Sequence, residues 1–405
     1  MNTQGIDATK ARHKLIRTPR NSSIELLRII AMLMILSHHF VLHNGTSLAD
    51  LPMTPVREIF SFLFLGAGKI GVTIFFSIST WFLNSSEQSI KHNFRRIWLM
   101  ERELLFWSLT LLITFTLAKK SLLSPTMMLN SVFPVITSLW WYASAYASFL
   151  AILPFLQYAL LAMGPKRHTQ LALMLLLVFG PLSLVPYPTI FGVYINNVAG
   201  FMYLFILLSC YKLYLKQFNV KQLWVLMASG LLIGVLITVL KDAVIVLMFA
   251  DNTPTKLVTY TPFRDFIALP SLMVGIPIFL LFDRLHFYSK YINFIAKSAF
   301  AVYLISEYLP MRDLLWSTLF DFKDIYGKPF ALLRIIVIML GVYAACTLCD
   351  FARRGLFALT LDRHPGRWFE ALWNKAAQWS WVQSLPKLMV DSRIPSETKA
   401  HDDAE

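Results

Sequence analysis

Five ionisable side chains stand in a stretch that is otherwise hydrocarbon-like. From Ser23 to His43 the chain reads SIELLRIIAMLMILSHHFVLH and carries Glu25, Arg28, His38, His39 and His43. An ionisable group within a membrane costs about 2.5 kcal/mol or more, so a plain anchor would not hold them. Each helical residue advances about 100°, which brings Arg28 and His39 onto one face, about 16 Å apart along the axis. Glu25 precedes Arg28 by one turn and His43 follows His39 by one turn, so the four form a polar stripe. His38 points about 100° away and reads as a packing or helix-to-helix hydrogen-bonding residue. His39 reads either as a histidine satisfied near the interface or as a general base that takes a proton from a hydroxyl. Glu307 is the carboxylate best placed by depth to orient such a base, and is otherwise a partner for Arg312. Arg95 and Arg96 lie on the same membrane face as Arg28, where several guanidinium groups suit phosphates. Trp140, Trp141, Tyr142 and Tyr146 read as an interfacial belt or as a surface on which a sugar stacks.

The elements that must hold these residues are helices in a bilayer. The 405 residues are 57% hydrophobic and 15% charged, with mean hydropathy +0.58. Apolar runs of about 20 residues recur to about residue 350, which predicts an all-α, polytopic membrane bundle and excludes a transmembrane barrel of short alternating strands. About ten spans are expected, near residues 23–43, 61–83, 97–118, 138–162, 170–186, 198–215, 222–248, 266–283, 294–311 and 330–350. Basic residues favour the loops on the side of the N-terminus, which predicts both termini in the cytoplasm. The net charge of +14 is therefore assigned to cytoplasmic loops and anionic lipid headgroups, not to nucleic acid.

Around residues 21–351 the chain places a basic arm at 1–20, an interfacial amphipathic segment at 352–388 and a polar tail without fixed structure at 389–405. Gly66, Gly68 and Gly71 permit a close helix approach or a break, and Lys69 sits among them. Of the three cysteines, Cys346 and Cys349 have CxxC spacing, but nothing accompanies them to suggest a metal, and none is expected. No nucleotide-binding glycine loop or serine-hydrolase elbow occurs.

Several segments, in order, resemble the acyltransferase-3 family of membrane-integral bacterial O-acyltransferases that modify surface polysaccharides. RNSSIELLRIIAMLMILSHHF is similar to its opening helix, in which an LR dipeptide precedes a histidine by eleven positions, here Arg28 and His39. GVTIFFSISTWF resembles the G-V-x-x-F-F-x-x-S-G segment, with Thr80 where glycine is usual. FRRIW resembles the arginine-rich opening of the third span, without the usual tyrosine and proline, and SLWWYASAYASFLAILPFL resembles the aromatic fourth-span block. SAFAVYLISEYLPMRDLLW resembles the late G-V-Y-L-I-H segment, with Ala301 for glycine, Ser306 for histidine and Arg312 kept.

The resemblance implies transfer of an acyl group, usually acetyl, from cytoplasmic acyl-CoA to a hydroxyl of a cell-surface or lipid-linked glycan, in the bacterial cell membrane. Taken with the reading of the residues above, it makes His39 and Glu307 the catalytic residues, with Glu307 standing beside Ser306 where the family has histidine, Arg28, Arg95 and Arg96 the site of the acetyl-CoA phosphates, and Trp141, Tyr142 and Arg312 the acceptor side. Oxyanion donors are expected from Arg312 or from a backbone break at Gly66–Gly71. A secondary transporter of a charged sugar or metabolite is the alternative; the chain lacks the two related halves common in that class.

Overall fold

The computed structural model describes residues 21–51, 54–119, 123–185, 197–249 and 260–380, and these contain helices and no strands. In order they are α1 (Ser22–Leu42), α2 (Pro55–Phe60), α3 (Gly66–Leu83), α4 (Ile90–Lys119), α5 (Pro125–Val132), α6 (Trp141–Leu182) and α7 (Asn197–Tyr214). There follow α8 (Val220–Val244), α9 (Leu269–Asp283), α10 (Lys290–Ala296), α11 (Ala299–Ser306), α12 (Leu309–Asp313), α13 (Ala331–Leu359) and α14 (Arg367–Ala377). A π-helical turn, Ser61–Leu65, joins α2 to α3.

The polar helix α1 is central, packing on α3, α9, α10, α11 and α13. Of its most apolar stretch 67% is buried, against 17% for the helix through Val220–Phe249. The charged helix is thus inside and the apolar one outside, as expected where the solvent is lipid. Both ends of α1 are pinned. Asn21 caps it by accepting from Ser23 N at 3.1 Å, and Ser23 Oγ donates to Phe282 O at 2.6 Å. Beyond its other end, Asn44 Nδ2 donates to Phe320 O and Asn44 Oδ1 accepts from Phe322 N, each at 3.0 Å. The height of the polar stripe is therefore set from both sides. Laterally, α3 lies so close that a Cβ on Gly68 would fall 2.1 Å from His38 Cβ. Small residues at such contacts let membrane helices approach.

Among the described residues, six helices are long and apolar enough to cross a bilayer, beside the ten or so spans expected. The other expected spans depart from single long apolar helices, each for a physical reason. Expected spans at 138–162 and 170–186 merge into α6, interrupted at Gly164, where φ is 71° ahead of Pro165. Span three, α4, carries Arg102 and Glu103 well inside the helix. The 266–283 span shortens to the 15 residues of α9. The expected span at 294–311 is divided among α10, α11 and α12, and Pro310 cannot continue the helix of α11 into α12. At the C-terminal side α13 runs on past residue 351 to Leu359, and the amphipathic α14 follows. The arm at 1–20, the remainder of the 352–388 segment beyond 380 and the tail at 389–405 lie outside the described residues.

Candidate active site

The break before Pro310 delivers the carboxylate of the site. Glu307 caps α11, outside regular helix, with its backbone N–H bonded to Tyr303 O. Its Oε1 lies 3.0 Å from His39 Nδ1 and its Oε2 3.4 Å from His43 Nε2. Arg312 is not its partner; that guanidinium pairs with Asp313 at 3.7 Å. His39 is 7% exposed, so the contact forms in a site of low dielectric, where it is stronger than in water. A carboxylate beside Nδ1 favours the tautomer protonated there, which leaves Nε2 to accept a proton.

His39 stands in the wall of two cavities. One is apolar and holds only about 30 Å³, lined by Met32, Val72, Phe75, Tyr142, Phe300 and others. The second measures about 250 Å³ and is lined by the three histidines, Lys69, Glu307 and Arg312 among others. Trp141 and Tyr303 border both, whereas Tyr142 borders the apolar one alone. Tyr142 is buried, its ring edge-on to Phe75, Phe201 and Tyr303, and its hydroxyl has no hydrogen-bond partner. Trp141 lies face to face with Phe201 and Phe266.

Met32, in the apolar cavity, is one turn from Arg28. The Arg28 Nη1 bonds to both Glu25 oxygens, at 3.0 and 3.1 Å. Arg96 bonds to Gln88 Oε1 at 2.6 Å and Asn93 Oδ1 at 2.9 Å. Both guanidinium groups act electrostatically on the Tyr146 hydroxyl, so they face one region. Arg95, next in sequence, goes elsewhere. Its Nη2 donates to Pro365 O at 2.9 Å and its Nε lies 3.9 Å from Glu370, which also pairs with Lys91 at 2.7 Å. Arg102 likewise pairs with Asp362, at 3.2 Å, and Glu103 with Arg353. Burial, then Arg96 and Arg95, hold the exposed His92 imidazole below its ordinary value, a mark of the positive potential on this face.

One expectation needs correction. The glycines of α3 do not break the helix, since Gly66–Leu83 is continuous, so no freed backbone amide arises there. Instead the irregular turn lies just upstream at Ser61–Leu65, where Leu65 O pairs with His38 Nδ1 at 2.8 Å. Ligand-type atoms of His39, His43 and Glu307 lie within 4.8 Å of one another. Lys69 and Arg312 line the same cavity and raise the electrostatic cost of adding a divalent cation there. Sequence reasoning gave no role to Lys69 or Tyr303. A lysine in mid-span was the available signal for the first; for the second, a tyrosine in an apolar run gives none.

No curated protein and no solved structure matches the chain significantly. A family profile described as an acyltransferase domain matches residues 21–351, a stretch that includes α1, both cavities and Arg28, Arg95 and Arg96. The chain belongs to the acyltransferase-3 family, the family that its motifs resemble.

Proposed function

We propose that the protein is an O-acyltransferase that moves an acyl group, acetyl by family default, from acyl-CoA to a hydroxyl of a cell-surface or lipid-linked glycan. The observation that carries this reading is the position of His39, held by Glu307 and bordered on one side by an apolar cavity and on the other by a polar one. Two substrates of opposite character meeting at one base is what transfer from a thioester to a sugar requires.

In this reading Arg28 and Arg96 hold the CoA phosphates at the cytoplasmic mouth, with Arg95 at the rim. The pantetheine arm runs along α1 past Met32, a distance matched by the ~16 Å rise from Arg28 to His39. A cavity of about 30 Å³ is the space of roughly one water, so its lining must part to admit the arm. The acceptor enters the polar cavity beside Trp141 and Arg312. His39 Nε2 takes the proton of the acceptor hydroxyl as that oxygen attacks the thioester carbonyl. The C–S bond then breaks, and the imidazolium returns its proton to the departing thiolate, giving the ester and free CoA. Glu307 holds the ring and stabilises its charged form. The unpartnered Tyr142 hydroxyl is a donor available to the oxyanion.

The test is transfer of label from acetyl-CoA to the host surface glycan in membranes carrying the wild type or His39→Ala. Label should reach the glycan with the wild type alone. Equal labelling by a fully inserted His39→Ala variant would refute the base assignment, and uptake of label across the membrane without ester formation would favour transport.

A further inference from the structure

The polar cavity holds two cations for which proton transfer has no use. Lys69 projects from the first turn of α3, half-buried, and Arg312 from α12. A lysine within a membrane helix costs about 2.5 kcal/mol or more, so it needs a compensating partner. Among the described residues, no hydrogen bond or ion pair within 4.0 Å reaches its ammonium; Asp265 and His38 act on it only at longer range. Arg312 has a weak contact to Asp313 at 3.7 Å, and its Nε is buried without a hydrogen-bond partner. The one carboxylate that lines the cavity, Glu307, is occupied by His39 and His43. The lining is therefore a site with positive charge to spare, offset in part by Asp265 and Asp313 beyond it.

We infer that the acceptor is an anionic sugar unit, whose carboxylate or phosphate lies between Lys69 and Arg312 while a neighbouring hydroxyl faces His39. The inference rests on the acyltransferase reading for its direction. At about 250 Å³ the cavity is close to the ~300 Å³ lower end of ligand pockets, so it suits one sugar unit of a chain. Lys69 is a specificity-determining residue here, since it binds the anion and leaves proton transfer to His39.

The experiment uses the full-length protein in lipid nanodiscs. Equilibrium binding of radiolabelled methyl glucuronide, glucose 1-phosphate and methyl glucoside is measured beside acetyl transfer from acetyl-CoA to the same three sugars. At least one anionic probe should bind about tenfold or more tightly than the glucoside, as one charge-assisted contact supplies. The carboxylate and phosphate arms identify which anion is preferred. Lys69→Met/Asp265→Asn, which removes the cation together with its nearby acid, should erase the preference, and Lys69→Arg should keep it. Binding of all three alike, binding of none, or a preference that persists in the inserted double variant would overturn the proposal. Anion binding without transfer to any probe would leave this site standing and count against the acyltransferase chemistry. Equal transfer to glucoside and glucuronide would do the reverse.

Discussion

Two cavities meet at His39 and differ in almost every respect. On the Arg28 side the walls are Met32, Phe75, Tyr142 and Phe300, and the space is about 30 Å³. On the His43 side the walls carry imidazole, carboxylate, ammonium and guanidinium groups around about 250 Å³. Under the proposed reaction, the difference lets one histidine serve two substrates. In the proposed reaction the small apolar space leaves little room for water beside a thioester. The larger, polar cavity suits a hydroxylated acceptor.

Substitutions can break this contrast in order of size. His39→Ala removes the group shared by both sides and should lower transfer by about 10³-fold or more, measured as ester formation at equal membrane abundance. Glu307→Gln keeps the shape and loses the charge that holds the ring, and about 10²-fold is expected in kcat with little change in either KM. A large KM effect instead would make Glu307 a binding residue. Arg28→Ala and Arg96→Ala should each raise the KM for acyl-CoA by about tenfold, the worth of one charge-assisted contact, whereas the acceptor KM stays. Phe300→Ala opens the apolar side alone, so propionyl- and butyryl-CoA should gain a few-fold relative to acetyl-CoA; an unchanged chain-length profile would detach this cavity from the donor. Arg95→Ala should give the smallest effect, under about threefold in the KM for acyl-CoA, because its guanidinium is already taken up by Pro365 O and Glu370. If it matched Arg96→Ala, the two arginines would have to be read as one site.

The polar stripe, the helical class and the family were legible because each depends on local periodicity or on short motifs. Arg28 and His39 lie eleven residues apart on one helix, and helix geometry alone relates them. Glu307 was legible by depth, although only the break before Pro310 explains why it reaches both His39 and His43. What stayed hidden depends on long-range packing. FRRIW reads as two equivalent arginines, and only the docking of residues 362–370 on α4 tells Arg95 from Arg96. Lys69 was visible as a misplaced charge, but its cavity is built from α1, α3, α12 and the start of α6. An apolar run also does not reveal where proline and glycine interrupt it, so the expected spans at 138–162, 170–186 and 294–311 do not stand as separate straight helices.

The π turn at Ser61–Leu65 has a consequence for how this chain tolerates length changes. In that turn Gly66 N–H reaches back five residues to Ser61 O, one more than an α-helical turn spans. The turn is equivalent to a single inserted residue, and α3 is phased accordingly, by about 100° relative to an unbroken helix. Removing any one of these five residues would return the segment to α-helix and rotate α2 against α3. To keep α2 docked, Gly68 would leave His38 and Lys69 would leave the cavity. Members of the family that lack the extra residue should then carry their cation at a different position of this helix, or serve an acceptor without the charge.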